Sequence, residues 1–123
     1  AIAARYDDAL GGSGSMLEPA RHTPWADPTF WLYTAHLSPA AAVDRDGLID
    51  RLDAAGIEAR PIWTPLHSLP LFADAPRLGG RVAEEIFAGA VSLPSSSSLG
   101  AEDQARVVRT LAEVGVVAGS PVA

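Results

Sequence analysis

Residues 44–62 read DRDGLIDRLDAAGIEARPI. Asp44 is an N-cap by residue type, because its carboxylate can accept from the free N–H groups of a first helical turn. Leu48, Leu52 and Ala55 recur at i, i+4 and i+7 and predict one buried helical stripe. Gly56 follows where a left-handed residue ends a helix. Residues 57–62 then read as a short strand. A helix running straight into a strand sets the fold class, and the flanking sequence extends it.

Upstream, residues 29–37 (TFWLYTAHL) are rich in aromatic and β-branched side chains and predict another strand. Phe30, Leu32, Thr34 and His36 would share one face, and Trp31, Tyr33, Ala35 and Leu37 the other. Residues 19–28 read as a proline-punctuated loop. Before it, Gly11-Gly12-Ser13-Gly14-Ser15 is a flexible joint. Residues 1–10 place Ile2, Tyr6, Ala9 and Leu10 on one helical face. That helix has no capping residue ahead of it and reads as the end of something longer.

Downstream, Pro61, Pro65 and Pro70 predict a stiff loop over residues 63–71. A helix is expected over about residues 80–90 with Val82, Ile86 and Ala90 in register, and a short strand over 91–93. Pro94 and the four serines 95–98 form a polar turn. A last helix starts near Ala101, with Glu102 and Asp103 in its first turn and a stripe of Ala105, Val108, Leu111 and Ala112. The tail after Gly115 is expected to fray. The whole predicts an α/β fold, a small sheet of few strands with helices packed on it.

The chain has 123 residues, enough for one ordinary domain. Apolar residues at 48% and charged residues at 20% match globular proteins, so wholesale disorder is not expected. The net charge of −6 and the lack of a basic block argue against a nucleic-acid partner. No apolar run is long enough to span a membrane, and no secretory signal is visible. Absence of cysteine excludes disulfides, thiolate catalysis and cysteine-ligated zinc. All nine basic side chains are arginines. Without a lysine amine the chain cannot form a Schiff base with a carbonyl cofactor.

His22, His36 and His67 share no metal-ligand spacing. His22 reads as a solvated loop residue and His36 as a packed or capping one. His67 closes the run Arg60-Pro61-Ile62-Trp63-Thr64-Pro65-Leu66-His67. Arginine there can grip a phosphate or carboxylate through two parallel hydrogen bonds. Tryptophan offers a flat wall to a sugar or base, and histidine can donate or accept near neutral pH. Prolines that stiffen such a loop lower its ordering cost on binding. The alternative is a buried Trp63 that only packs the loop down. The serine turn is first a lead-in to the last helix and secondly an anion cradle. No base stands beside it, so a serine nucleophile is not supported. Gly79-Gly80 reads as a helix start.

The run from Gly56 through Arg60-Pro61-Ile62-Trp63-Thr64-Pro65-Leu66-His67 to Phe72 resembles the C-terminal domain signature of the DegT/DnrJ/StrS aminotransferases. Asp44-Arg45-Asp46-Gly47-Leu48, Gly79-Gly80-Arg81-Val82-Ala83-Glu84-Glu85-Ile86-Phe87 and Leu93-Pro94-Ser95-Ser96-Ser97-Ser98-Leu99 agree in order and spacing. Ala4-Arg5-Tyr6 resembles the end of the long helix joining that family's two domains. The resemblance implies residues 1–10 as the end of the inter-domain helix and 11–123 as the small C-terminal domain of a fold-type I transferase.

The resemblance further implies a cytoplasmic homodimer that uses pyridoxal phosphate (PLP). It would move an amino group, with glutamate as donor, to a nucleotide-linked keto-sugar. The R-P-x-W-x-P-L-H form is closest to members acting on UDP-4-keto-6-deoxy-N-acetylhexosamines. The family's large domain carries the Schiff-base lysine and most cofactor ligands, and none of that matches here. Trp63 and His67, with Arg60, are carried over as substrate-side contacts, and no catalytic or cofactor-binding residue is expected in the chain. The competing expectation is a non-catalytic module that binds a nucleotide sugar or serves only as a folding unit.

Overall fold

The computed structural model describes residues 2–118. Along them run α1 (Ile2–Leu10), β1 (Leu17–Pro19), β2 (Tyr33–Leu37), α2 (Arg45–Ala54), β3 (Arg60–Pro61), α3 (Arg81–Gly89), β4 (Ala90–Leu93) and α4 (Ala101–Val114). The strands form one sheet in the order β1-β2-β4-β3, and each neighbouring pair is antiparallel. The expected fold class, a small sheet with helices packed on it, is the one the chain forms. Both edge strands carry a proline, Pro19 in β1 and Pro61 in β3. Proline has no N–H to give a ladder, so the sheet edges are where it can sit.

The strands are shorter than the sequence predicts. The strand expected over 29–37 starts at Tyr33, because Phe30 adopts a φ of 50° that no strand residue holds. Its faces separate: Tyr33, Ala35 and Leu37 are buried, while Thr34 and His36 are half-buried on the other side. His36 packs against Gly89, where an added Cβ would lie 2.9 Å from its ring. The strand expected over 57–62 keeps only Arg60–Pro61. β1 was not foreseen; three residues pair Leu17 with Leu37 and bury Leu17 completely.

Asp44 caps α2 as expected, its Oδ1 accepting from the Gly47 N–H at 2.8 Å. Leu48 and Leu52 are buried, but Ala55 is exposed because α2 ends at Ala54. Arg106 from α4 closes that end, donating to the carbonyls of Ala55 at 2.7 Å and Gly56 at 3.1 Å. A cation there also complements the negative end of the helix dipole.

The inward face of α4 is Gln104, Val107 and Leu111; of the predicted stripe Leu111 is buried as expected, while Ala105, Val108 and Ala112 are only half-buried. The helix is turned by about one position because Gln104 is drawn inside, its Nε2 donating to the Ile2 carbonyl at 2.7 Å. A buried amide with such a partner avoids the desolvation cost that leaves glutamine outside most cores. The predicted stripe of α3 is also corrected. Val82 and Ile86 are exposed, and Ala90 belongs to β4.

The core lies between the sheet and α1, α2 and α4. Its centre is Tyr6 against Tyr33, with ring centroids 4.7 Å apart. Tyr6 donates to the Pro94 carbonyl at 2.9 Å and Tyr33 to Asp7 Oδ1 at 2.7 Å. The expected fraying after Gly115 is not seen at Val116 and Val117, which are buried; Met16 donates its N–H to the Val116 carbonyl at 2.8 Å. Residues 119–123 lie outside the described part. No helix among the described residues is long and apolar enough to cross a membrane.

Candidate functional site

An open groove of about 1320 Å³ runs along the β3 edge of the sheet toward the first turns of α4. Its walls come from three segments that the fold brings together: residues 29–32 before β2, residues 60–63 at β3, and the serine turn after β4. A smaller trough of about 890 Å³ shares Phe30, Trp31, Leu32 and Trp63 with it. The aromatic residues therefore form a ridge with a depression on either side.

The ridge is built by backbone geometry. The positive φ of Phe30 lays its ring over Tyr33, with centroids 6.3 Å apart. Trp31 is left 74% exposed. A non-glycine residue pays for that conformation, and such costs persist where surrounding contacts enforce them. Ser95 supplies the enforcement: its Oγ donates to the Trp31 carbonyl and accepts from the Tyr33 N–H, both at 3.2 Å. The rest of the serine turn is braced internally by Ser96 and Ser98, whose hydroxyls lie 2.8 Å apart. It leads into α4 without capping it, since the N-cap is Gly100.

Trp63 is 76% exposed and forms part of both depressions. The alternative of an indole buried to hold the loop down is thus not what the fold does. Pro65 opens a 3-10 turn, Leu66–Ser68, and a second follows at Pro70–Phe72, so the proline loop is short-range helical rather than irregular. Arg60 lies on the same groove wall and is paired with Glu58, its Nε donating to Oε1 at 2.7 Å. Both side chains are exposed, so this pair contributes little stability, and Arg60 can exchange it for another anion.

His67 does not line the groove. Its ring turns toward α3, with Nε2 3.0 Å from Glu84 Oε1. Arg77 Nη2 donates to that same oxygen at 2.7 Å, and its Nε donates to the Gly79 carbonyl at 2.9 Å. Hydrogen bonds from His67 and then Arg77 hold the Glu84 carboxyl below the usual carboxylate range. The structure thus brings Trp63 and Arg60 together on one wall and places His67 at the base of their loop.

Trp31 was read from the sequence only as a strand residue. The signal that marks it is two aromatics in succession just before the strand, of which only one can face the core.

Gly80 makes the His67 arrangement possible. It has φ 106°, and a Cβ there would lie 2.7 Å from His67 Cε1 and 3.1 Å from two Arg77 nitrogens. Gly80→Ala therefore combines left-handed strain with a clash and is expected to cost about 1–3 kcal/mol. Urea midpoints of the two proteins measure it, and an unchanged midpoint rejects this packing.

What the arrangement can do chemically is bind. Trp31 and Trp63 offer flat apolar surfaces to a base or to the C–H face of a sugar. Arg60 and the serine hydroxyls supply polar contacts at the rim. Among the described residues no group of histidine and carboxylate side chains is disposed to hold a metal ion.

The family model described as DegT/DnrJ/EryC1/StrS aminotransferase matches residues 1–112. GDP-perosamine synthase of Caulobacter vibrioides is 35% identical over 109 residues. EpsN of Bacillus subtilis, named for a pyridoxal phosphate-dependent aminotransferase, is 40% identical over 117 residues. Each alignment covers 89% of this chain, which spans only 29% of either relative. Among solved structures, DesI, crystallised in the presence of its TDP-sugar product, superposes with a TM-score of 0.81 at 22% identity. That match covers 94% of this chain and 30% of DesI, and speaks for the fold. With the family model covering nearly its whole length, the chain belongs to the DegT/DnrJ/EryC1/StrS aminotransferase family.

Proposed function

We propose that this chain is the small C-terminal domain of a PLP-dependent aminotransferase that aminates a nucleotide-linked keto-sugar, and that its aromatic ridge forms the substrate-facing wall. The observation that carries this is the exposure of Trp31 and Trp63 on a braced ridge, in a chain of this family. Trp63 and Arg60 would hold the sugar nucleotide from the groove side, and His67 from the base of the loop, orienting the keto-sugar for amination. The R-P-x-W-x-P-L-H run favours a UDP-4-keto-6-deoxy-N-acetylhexosamine, and the likeness to a GDP-perosamine synthase makes GDP-sugars the comparison. Glutamate is the proposed amino donor, and a cytoplasmic homodimer the proposed setting. Residues 1–10 would end the helix joining the two lobes, with residues 11–123 the small domain.

The residues present do not fit covalent attachment of PLP. With nine arginines making up the basic side chains, no lysine amine is available to it. Under this reading the cofactor's anchor would lie outside these residues.

That same lack of lysine favours one second reading, a module that binds nucleotide sugar without chemistry. Calorimetric titration of the chain with UDP- and GDP-sugars tests both. Under the binding reading, heat saturates at micromolar ligand, and Trp63→Ala weakens the affinity by about tenfold, the worth of one aromatic contact. Unchanged affinity in that variant removes Trp63 from the site. Absence of heat in the wild type rejects the stand-alone module and leaves the domain dependent on its larger lobe.

A further inference from the structure

We infer that Glu84 is a positioning residue: through His67 Nε2 it fixes the imidazole as the Nε2–H tautomer and leaves Nδ1 as a hydrogen-bond acceptor for a hydroxyl or amine of the bound sugar. The functional half rests on the reading of the 63–71 loop as the substrate-facing wall.

The argument starts from the donor inventory. An ionised carboxylate only accepts hydrogen bonds. Glu84 Oε1 is held ionised between His67 at 3.0 Å and Arg77 at 2.7 Å, and the arginine cannot surrender its charge. The Nε2 atom facing that oxygen must then carry a proton. In a neutral ring the other nitrogen is an acceptor, so the partner of one atom sets the role of the other. Nδ1 makes no hydrogen bond among the described residues.

Two further observations show that the contact is built rather than incidental. The His67 side chain is only 22% exposed, so water competes weakly for Nε2. Gly80, in its left-handed conformation, clears the space in which the ring lies against the start of α3. The ends of the coupling also lie on different elements. His67 is in the 3-10 turn after Pro65, and Glu84 is in the first turn of α3. Glu84 thus sets both the proton position and the seat of the turn that follows Trp63.

An Nδ1 acceptor selects its ligand. It can receive a hydrogen bond from a sugar hydroxyl or an ammonium, and it repels a carbonyl or phosphate oxygen. The prediction for the substrate class is a donor at the position that His67 reads.

Nitrogen-15 NMR of the imidazole rings in the whole chain tests this on the alkaline side of neutrality, where the tautomer of the neutral ring is what the spectrum reads. Wild-type His67 is expected to show Nε2 in the protonated region and Nδ1 in the unprotonated region. Exposed His22 serves as the averaged internal standard. Glu84→Gln, whose amide can donate as well as accept, should release the preference and move both His67 nitrogens toward the averaged values. Glu84→Asp keeps the charge near the helix start but shortens the reach, and should give the same release if the glutamine variant does not fold. A wild-type His67 that already averages, or a signature unchanged in both variants, overturns the inference. Adding UDP-N-acetylglucosamine separates the two layers. Movement of Nδ1 with Nε2 unmoved supports the acceptor role. With the ligand at a concentration that shifts the Trp63 indole signal, an unmoved Nδ1 beside an intact tautomer signature overturns that role; an unmoved Trp63 as well removes the substrate-wall reading from the chain alone, and in both cases Glu84's hold on the ring stands.

Discussion

Tyr6→Ala is expected to remove about 3–5 kcal/mol of stability, a large part of what a domain of this size has. The ring is fully buried in α1 and tilts against Tyr33 with centroids 4.7 Å apart. Truncation opens a cavity between α1, the sheet and α4, and strands the Pro94 carbonyl that the hydroxyl serves at 2.9 Å. Tyr6→Phe separates the two contributions, since it keeps the volume and loses only the hydrogen bond, at a cost of about 1 kcal/mol. Urea unfolding followed by circular dichroism measures both. The alanine variant should also loosen the groove, because Tyr33 supports Phe30, and Phe30 sets the exposure of Trp31. A loss below that of the phenylalanine variant would mean that α1 is not part of the core.

Much of the fold was legible because its signals are local. Asp44, the Leu48–Leu52 pair and Gly56 mark a helix by cap, period and stop, and each does what its type predicts. The strands were less legible because pairing is a long-range property. β1 has three residues and no alternation, and it exists because Leu37 and Ala35 lie opposite Leu17 and Pro19. The inward face of α4 was misplaced for a related reason. Hydropathy puts Gln104 outside, and its bonds to α1, chiefly to the Ile2 carbonyl 102 residues away in sequence, bring it in. For α3, periodicity correctly marked an apolar face, but an apolar face need not be covered within the same chain, and Val82 and Ile86 remain exposed.

The candidate site divides in the same way. Trp63 and Arg60 were legible as a braced pair because the prolines that stiffen their loop are adjacent in sequence. His67 was read as part of the same corner, yet its ring is held by Glu84, 17 positions further on, whose carboxylate is in turn held by Arg77. Spacing along a loop says which residues are near one another and little about where each ring turns. Trp31 escaped notice because strand propensity and exposed groove-lining aromatics use the same residue types. The positive φ that separates Phe30 from Trp31 is enforced by Ser95, a contact 64 residues away.

Alkaline pH should unfold this protein through its two tyrosines. Burial pushes the Tyr6 hydroxyl up to about 12. Tyr33 is pushed up further, by burial first and then by its hydrogen bond to Asp7 and the charges of Asp7 and Tyr6. Below pH 10 both phenols are neutral in folded and unfolded chains, and the stability tied to them is fully present. Above pH 10 the unfolded chain sheds these protons and the folded chain keeps them. The unfolded state then binds fewer protons, so stability falls as pH rises. Each tyrosine contributes a slope of about 1.4 kcal/mol per pH unit, and together they remove on the order of 5 kcal/mol by pH 12. The window is unusually clean, since the sequence holds no lysine or cysteine and arginine stays charged throughout. Urea midpoints measured at intervals from pH 8 to 12 should stay level and then drop, with tyrosinate absorbance rising in step with unfolding. In a Tyr6→Phe, Tyr33→Phe double variant the decline should vanish from a lower starting stability. A wild-type midpoint that stays level to pH 12, or a double variant that declines as steeply, would show that these hydroxyls are not buried as the Tyr6–Tyr33 stack requires.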